Sequence, residues 1–272
     1  VINVVQLGRV EYALGLRIQQ KLVEARKTGE IDNTLVLLEH TPVITLGRNA
    51  RRENVLASDE LLRRQGVALF ECDRGGDVTY HGPGQLVGYP IFDLRSFTDP
   101  EGKQKTIWPV EFVRRIEEAL IRTCADFGIA TQRVADLTGV WTNPLRRDGG
   151  TEKNKGKDEA KIAAIGVHIS RGVTSHGFAL NVTTLLEHFN LIVPCGIAGK
   201  PVTSMEKELG PSAAPEMQAV TESVARNFGR VFNSQVLWVE TLEELLGYKL
   251  DLPARPPKEV RRLRGEDDLY LA

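Results

Sequence analysis

One stretch sets the terms for the rest of the chain: Arg74-Gly75-Gly76-Asp77-Val78-Thr79-Tyr80-His81-Gly82-Pro83-Gly84-Gln85, followed at once by the apolar run Leu86-Val87-Gly88-Tyr89-Pro90-Ile91. Glycines, a proline and polar side chains are compressed here between two strand-like segments. Such a backbone either makes an ordinary glycine-rich hairpin turn or brings main-chain N–H groups close to a ligand. It is not a P-loop, because no Gly-Lys-Ser/Thr follows the glycines. It is not a dinucleotide fingerprint either, because the glycines run into a strand rather than a helix.

Charge and composition narrow the function classes. Lysine and arginine number 35 against 36 acidic residues, so the clustered basic excess of a nucleic-acid binder is missing. No apolar run approaches the roughly 20 residues of a bilayer-spanning helix, and the first residues, Val1-Ile2-Asn3-Val4-Val5, lack the layout of a signal peptide. The cysteines, Cys72, Cys124 and Cys195, are odd in number, widely spaced and without a Cys-x-x-Cys pair. That pattern predicts free thiols in a reducing, cytoplasmic setting rather than a disulfide framework or zinc site.

The 272 residues can bury a substantial core. Strands are expected at Asn3 to Leu7, Thr34 to His40 and Val43 to Gly47, the last two forming a hairpin across Thr41-Pro42. Further strands are expected at Val67 to Cys72, after Gln85, at Gly139 to Thr142, and as a hairpin of Lys161 to Ser170 with Val173 to Val182 through Arg171-Gly172. Helices are expected at Tyr12 to Arg26, from Ser58 to Gly66, from Pro109 to Phe127 and from Glu216 to Phe232. A strand near Val236 and a short helix from Leu242 complete the set. Asn143 to Ala160 has mixed charge and little to bury, which predicts a mobile insertion, and the proline-rich charged tail from Asp251 predicts an extended segment. Residues 1–250 therefore read as one α/β (α+β) domain carrying an insertion at about 143–160, and 251–272 as a polar tail. Hairpin-like pairs outnumber strand-helix-strand units along the chain.

Cys195 lies in Val193-Pro194-Cys195-Gly196-Ile197-Ala198-Gly199-Lys200. Glycine beside a thiol leaves room for an incoming acyl carbonyl, and backbone N–H groups there could hold an oxyanion; a lone thiol in a turn is more often structural or incidental. Lys161 heads an otherwise small and apolar strand. It either ends the preceding charge run or exchanges protons in an apolar setting and favours a neighbouring thiolate. His40, His81, His168, His176 and His188 have no metal-ligand spacing, although His81 and His176 sit in glycine-containing segments suited to a pocket wall. Arg48, Arg51 and Arg52 read as a solvated surface loop or as a cluster for carrier or carboxylate recognition.

The opening motif resembles the signature of the lipoyl(octanoyl) transferases. Lys161-Ile162-Ala163-Ala164-Ile165-Gly166-Val167 with Thr174 to Asn181 is similar to that family's lysine block, and Val193 to Gly196 with Val202-Thr203-Ser204-Met205 to its nucleophile block. The resemblance runs from about Leu7 to Leu209. It implies a mixed, largely antiparallel sheet flanked by helices, as in biotin and lipoate protein ligases. It implies Cys195 as the acyl-accepting thiol and Lys161 as its activator. Arg74, Gly75, Gly76, Asp77, Val78, Thr79, Tyr80, His81, Ala164, Ile165, Gly166, Gly177, Phe178 and Ala179 then line the acyl pocket. The implied partners are octanoyl-acyl carrier protein as donor, and as acceptors the lipoyl domains of 2-oxoacid dehydrogenases and the glycine cleavage H protein. No metal or other cofactor is implied. Two rivals stay open: an ATP-dependent lipoate or biotin ligase, which needs no cysteine, and a noncatalytic acyl- or carrier-binding module.

Overall fold

A computed structural model describes residues 1–98, 101–143, 159–194 and 200–250. Cys195, most of the expected insertion and the expected tail lie outside the described residues.

The chain begins with a strand-helix-strand unit: β1 (Ile2–Val10), α1 (Tyr12–Thr28) and β2 (Asn33–His40), with β1 and β2 parallel. Gly29 ends α1 in the left-handed conformation, at φ 79°. The next strand, β3 (Val43–Leu46), does not form the expected hairpin with β2. It pairs parallel with β4 (Ala68–Glu71) and antiparallel with β5 (Val78–His81) in a separate three-stranded sheet. Both edges of β2 are already taken, one by β1 and the other by β6 (Gln85–Ile91), so no ladder position remains for β3. Between β3 and β4 lies α2 (Asp59–Arg64), capped by Ser58, whose hydroxyl accepts from the Leu61 N–H.

After the short hairpin β7 (Phe97–Thr98) and β8 (Gln104–Lys105) comes α3 (Pro109–Asp126). The strands β9 (Thr131–Val134), β10 (Leu137–Thr142), β11 (Lys161–Ser170) and β12 (Val173–Asn181) follow. α4 (Met205–Leu209), α5 (Met217–Val231), β13 (Val236–Val239) and α6 (Leu242–Leu246) close the described chain. The main sheet is eight-stranded, in the order β13-β1-β2-β6-β12-β11-β10-β9. Its β13-β1-β2 end is parallel and the remainder antiparallel.

The largest core cluster joins this sheet to α3 and α5 through Phe92, Phe112, Leu120, Leu180, Val224 and Phe228. A second cluster sets Leu22 and Ala25 of α1 against Val36, Val87 and Ala179. The small sheet packs through Ile44, Leu69, Val78 and Tyr80 onto Phe189, Leu191 and Ile192, a segment running to Pro194. Among the described residues no helix is long and apolar enough to cross a membrane.

Candidate active site

A cleft enclosing about 200 Å³ lies between the main sheet and the glycine-rich segment. Its sheet side follows from the pleat. Alternate residues of a strand share a face, so Ala164 and Gly166, Gly177 and Ala179, and Val87 and Tyr89 border it in adjacent rows. Opposite them stand Arg74, Gly75, Gly76 and Asp77 with Thr79, His81 and Tyr12, while Asp136, Leu137 and Thr138 close one end. Ile165, Phe178 and Lys161 also line it.

Most of the sequence-expected pocket residues therefore meet in one cavity. Val78 and Tyr80 do not border it. They occupy the other face of β5, packed among Ile44, Leu46 and Leu69, because residues alternating with Thr79 and His81 must point away from them. Val87 and Tyr89 were missed, although the same period of two identifies them once Gln85–Ile91 is read as a strand. Tyr12 carried no local signal.

The glycine-rich segment is held on the sheet by polar contacts. The Gly75 N–H donates to the Val167 carbonyl at 3.1 Å, and a side chain at Gly166 would put its Cβ 2.5 Å from the Gly75 oxygen. Gly166→Ala is therefore expected to force this seam apart. A cost of ~1–3 kcal/mol in urea unfolding is expected. A wild-type unfolding midpoint would mean that the close approach is not needed.

Asp73 adds a second clasp: its carboxylate accepts from His168 Nδ1 at 2.5 Å and from His176 Nε2 at 2.7 Å. Arg48 Nη2 is 3.3 Å from His168 Nε2, and since arginine only donates, that nitrogen is the acceptor and Nδ1 carries the proton. Burial raises the Asp73 carboxyl, but its two histidine partners outweigh that and hold it well below the usual carboxylate range. Burial favours neutral His176.

Arg74 is 8% exposed and donates to the Thr45 carbonyl at 2.8 Å and to the Thr45 hydroxyl at 3.0 Å, so it ties the segment to β3. The Thr45 hydroxyl lies 3.5 Å from His81 Nε2, and His81 Nδ1–H donates to Gln85 Oε1 at 2.8 Å. Gln85 Nε2 reaches Tyr80 O and Asn181 Oδ1, and Asn181 Nδ2 donates to Thr203 O at 2.9 Å. At the turn before Gln85, Gly84 has φ 80° and its N–H donates to Glu39 at 2.6 Å. A Cβ there would lie 2.5 Å from Thr183 O, so the Gly-Pro-Gly turn is shaped by close approach as well as by φ.

Lys161 is buried at the head of β11. Its N–H donates to Pro201 O at 2.8 Å and its carbonyl accepts from Thr203 N at 3.0 Å. On the other side of the undescribed residues 195–199, the Val193 N–H donates to Asn54 O at 2.7 Å, and Asn54 Nδ2 donates to Asp77 at 2.7 Å. A small adjoining cavity is lined by both Lys161 and Pro194, and shares Thr79, Lys161, Ala164 and Ala179 with the main cleft. Cys72 and Cys124 are fully buried, and burial pushes the Cys124 thiol up to about 12. Among the described residues no group of His, Cys, Asp and Glu could hold a metal ion.

A family model for the lipoyl protein ligase A/B catalytic domain matches residues 11–229. An octanoyltransferase from Koribacter versatilis is 57% identical over 270 residues, covering 99% of each chain. The chain belongs to the octanoyltransferase family of acyltransferases. Another member, from Acidobacterium capsulatum, is 62% identical over 246 residues, or 90% of this chain and 96% of the relative. The family's fold extends to more distant proteins. A crystal structure of lipoate-protein ligase A bound with ATP superposes with a TM-score of 0.67 at 15% identity, covering 90% of this chain and 91% of the other. A bipartite lipoate protein ligase from Thermoplasma acidophilum gives 0.64 at 16%, covering 90% and 89%. At such identities these two establish the biotin/lipoate ligase-like fold alone.

Proposed function

We propose that this acyltransferase moves an octanoyl group from the thioester of octanoyl-acyl carrier protein to a lysine of a lipoyl domain, through an S-octanoyl intermediate on Cys195. The acceptors are the lipoyl domains of 2-oxoacid dehydrogenases and the glycine cleavage H protein. The observation that carries the reading is the cavity shared by Lys161 and Pro194, because Cys195 follows Pro194 directly in the chain. The burial of Cys72 and Cys124 adds support, since an acyl-carrier thioester needs a thiol it can reach.

In the first half-reaction the Cys195 thiolate attacks the thioester carbonyl carbon. The carbon–sulfur bond to the carrier breaks, and the carrier's sulfur leaves as a thiol with a proton from the Lys161 ammonium. In the second, the acceptor lysine amine attacks the new thioester, its proton passes to Lys161, and Cys195 departs as thiolate. The thioester is already activated, so the chemistry requires neither ATP nor a metal. The cleft bordered by Arg74–Asp77, Thr79, His81, Ala164–Gly166 and Gly177–Ala179 holds the acyl chain, with Val78 and Tyr80 supporting the loop from behind.

Intact-mass analysis after mixing the protein with octanoyl-acyl carrier protein, without ATP, tests this. One octanoyl adduct mapping to Cys195 and discharging onto a lipoyl domain is expected. No adduct from the thioester, with a lipoyl domain modified only from free octanoate and ATP, would mean a ligase, and binding without adduct or transfer a noncatalytic module.

A further inference from the structure

Lys161 is the first residue of β11, and in the antiparallel ladder it lies opposite Trp141 of β10. Directly opposed residues present their side chains on the same face. Here the result is a cation over a ring: the Lys161 Nζ lies 4.7 Å from the Trp141 ring centroid. That is inside the range in which an ammonium is attracted to the negative face of an indole, and the attraction is strongest where water is excluded. Trp141 is 1% exposed.

The ring is held in place. Trp141 Nε1–H points to the carbonyl of Leu137, four residues earlier in the same strand, at 3.4 Å. A register shift between Val140 and Trp141 breaks the regular ladder at this point. Two residues before Trp141, Gly139 has φ 127°, and a Cβ there would stand 3.4 Å from Lys161 Cε, 3.7 Å from Cδ and 2.6 Å from Ala163 O. The lysine stem therefore runs past a position without a side chain. The trough is anchored from behind, because the Gly139 N–H donates to the fully buried Glu117 carboxylate at 3.1 Å. The other oxygen of Glu117 accepts from Arg114 at 2.7 Å and Arg133 at 3.1 Å.

A lysine has several rotatable bonds, and a single staggered chain must be selected if its head group is to serve one thiol. We propose that Trp141 is a positioning residue for the transfer reaction: its ring face holds the Lys161 ammonium in one place in the wall of the acyl cleft, and Gly139 provides the groove for the stem. The proposal rests on the reading of Lys161 and Cys195 given above. It adds that electron density on the Trp141 ring, not its bulk alone, governs how well the lysine supports the thiolate.

The test separates these two claims. The other tryptophans, Trp108 and Trp238, are exposed and can be changed to phenylalanine, leaving Trp141 as the sole indole. Mono-, di- and trifluorinated tryptophan incorporated there depletes the ring face step by step while nearly preserving its shape. Alkylation of Cys195 by iodoacetamide is followed from pH 6 to 9, alongside octanoyl transfer, with thermal unfolding as a check on the fold. The midpoint of alkylation should move to higher pH with each fluorine. Trp141→Leu should lose about five- to tenfold in rate near neutral pH, and Trp141→Phe should fall between. A flat fluorine series would overturn the proposal. A Lys161→Met control then identifies the fault: if it is impaired, only the ring's role fails, and if it matches wild type, the lysine-thiol reading fails as well.

Discussion

Serine at position 195 is expected to reduce octanoyl transfer by on the order of 10³-fold or more, since removing an enzyme's nucleophile leaves only binding and the remaining polar groups to act. A serine hydroxyl does not ionise near neutral pH as a thiol can, so similar geometry should not rescue it. Cys72→Ser and Cys124→Ser should keep turnover, because both thiols are fully buried, although each places a hydroxyl in the core at a cost of about 1–3 kcal/mol. Steady-state amide formation on a lipoyl domain measures all three. Lys161 variants extend the argument. Lys161→Met should slow alkylation of Cys195 near pH 7, with the deficit shrinking as pH rises and the thiol ionises unaided. Lys161→Arg keeps the charge but cannot exchange a proton at ordinary pH, so it should preserve part of the alkylation rate and remain poor in full transfer. Turnover by Cys195→Ser comparable to wild type would remove the thiol from the mechanism. Wild-type alkylation profiles in both lysine variants would remove Lys161.

Much of the fold was legible because it rests on local periodicity. The β11–β12 hairpin follows from two apolar runs meeting at Arg171-Gly172, and the structure pairs Ser170 with Val173 as that turn requires. The α3 and α5 helices follow from apolar stripes that settle on one core. The exception, the expected β2–β3 hairpin, has a definite cause. Thr41-Pro42 is a short link of the kind that joins paired strands, but pairing depends on which edges of β2 are free, and β1 and β6 come from other parts of the chain. No window around residues 34–47 contains that information.

The candidate site divides along the same line. Its glycine positions could be read because close approach excludes side chains: Gly75 and Gly166 meet across a seam that neither segment predicts alone, yet each carries the glycine it needs. The polar clasps were not legible. Asp73 lies just before the motif, and its partners His168 and His176 come from the two strands of a hairpin about a hundred residues later. The direction of a side chain in β5 was lost for a different reason. A motif read as a continuous string gives Val78 and Tyr80 the same weight as Thr79 and His81, whereas a strand sends them to opposite faces.

Mild acid is expected to destabilise the protein before most of its carboxylates titrate. Burial holds His40 neutral, with its pKa lowered to about 4, and burial, with His40 and Arg74 nearby, lowers His81 to about 3. Both are wired as neutral rings: His40 Nδ1–H donates to Val10 O at 2.9 Å while Nε2 accepts from the Tyr89 hydroxyl at 2.6 Å, and His81 donates to Gln85. In the unfolded chain both would take protons near pH 6.5. Stability is therefore full above that pH and falls as pH drops toward the folded values, because the unfolded state binds protons that the native state refuses. With two such rings the slope peaks at about 2.5 kcal/mol per pH unit around pH 5, by which point the pair has removed about 4 kcal/mol. Buried His176 acts in the same direction, and the depressed Asp73 carboxyl adds a further loss only at still lower pH. Urea unfolding at pH 8, 6 and 5 measures the slope. His81→Gln should lower it by about one proton, since glutamine can hydrogen-bond but does not titrate. A stability that stays level from pH 6.5 to 5, or a slope unchanged in His81→Gln, would mean that these rings accept protons in the folded state and that the hydrogen-bonding assigned to them is wrong.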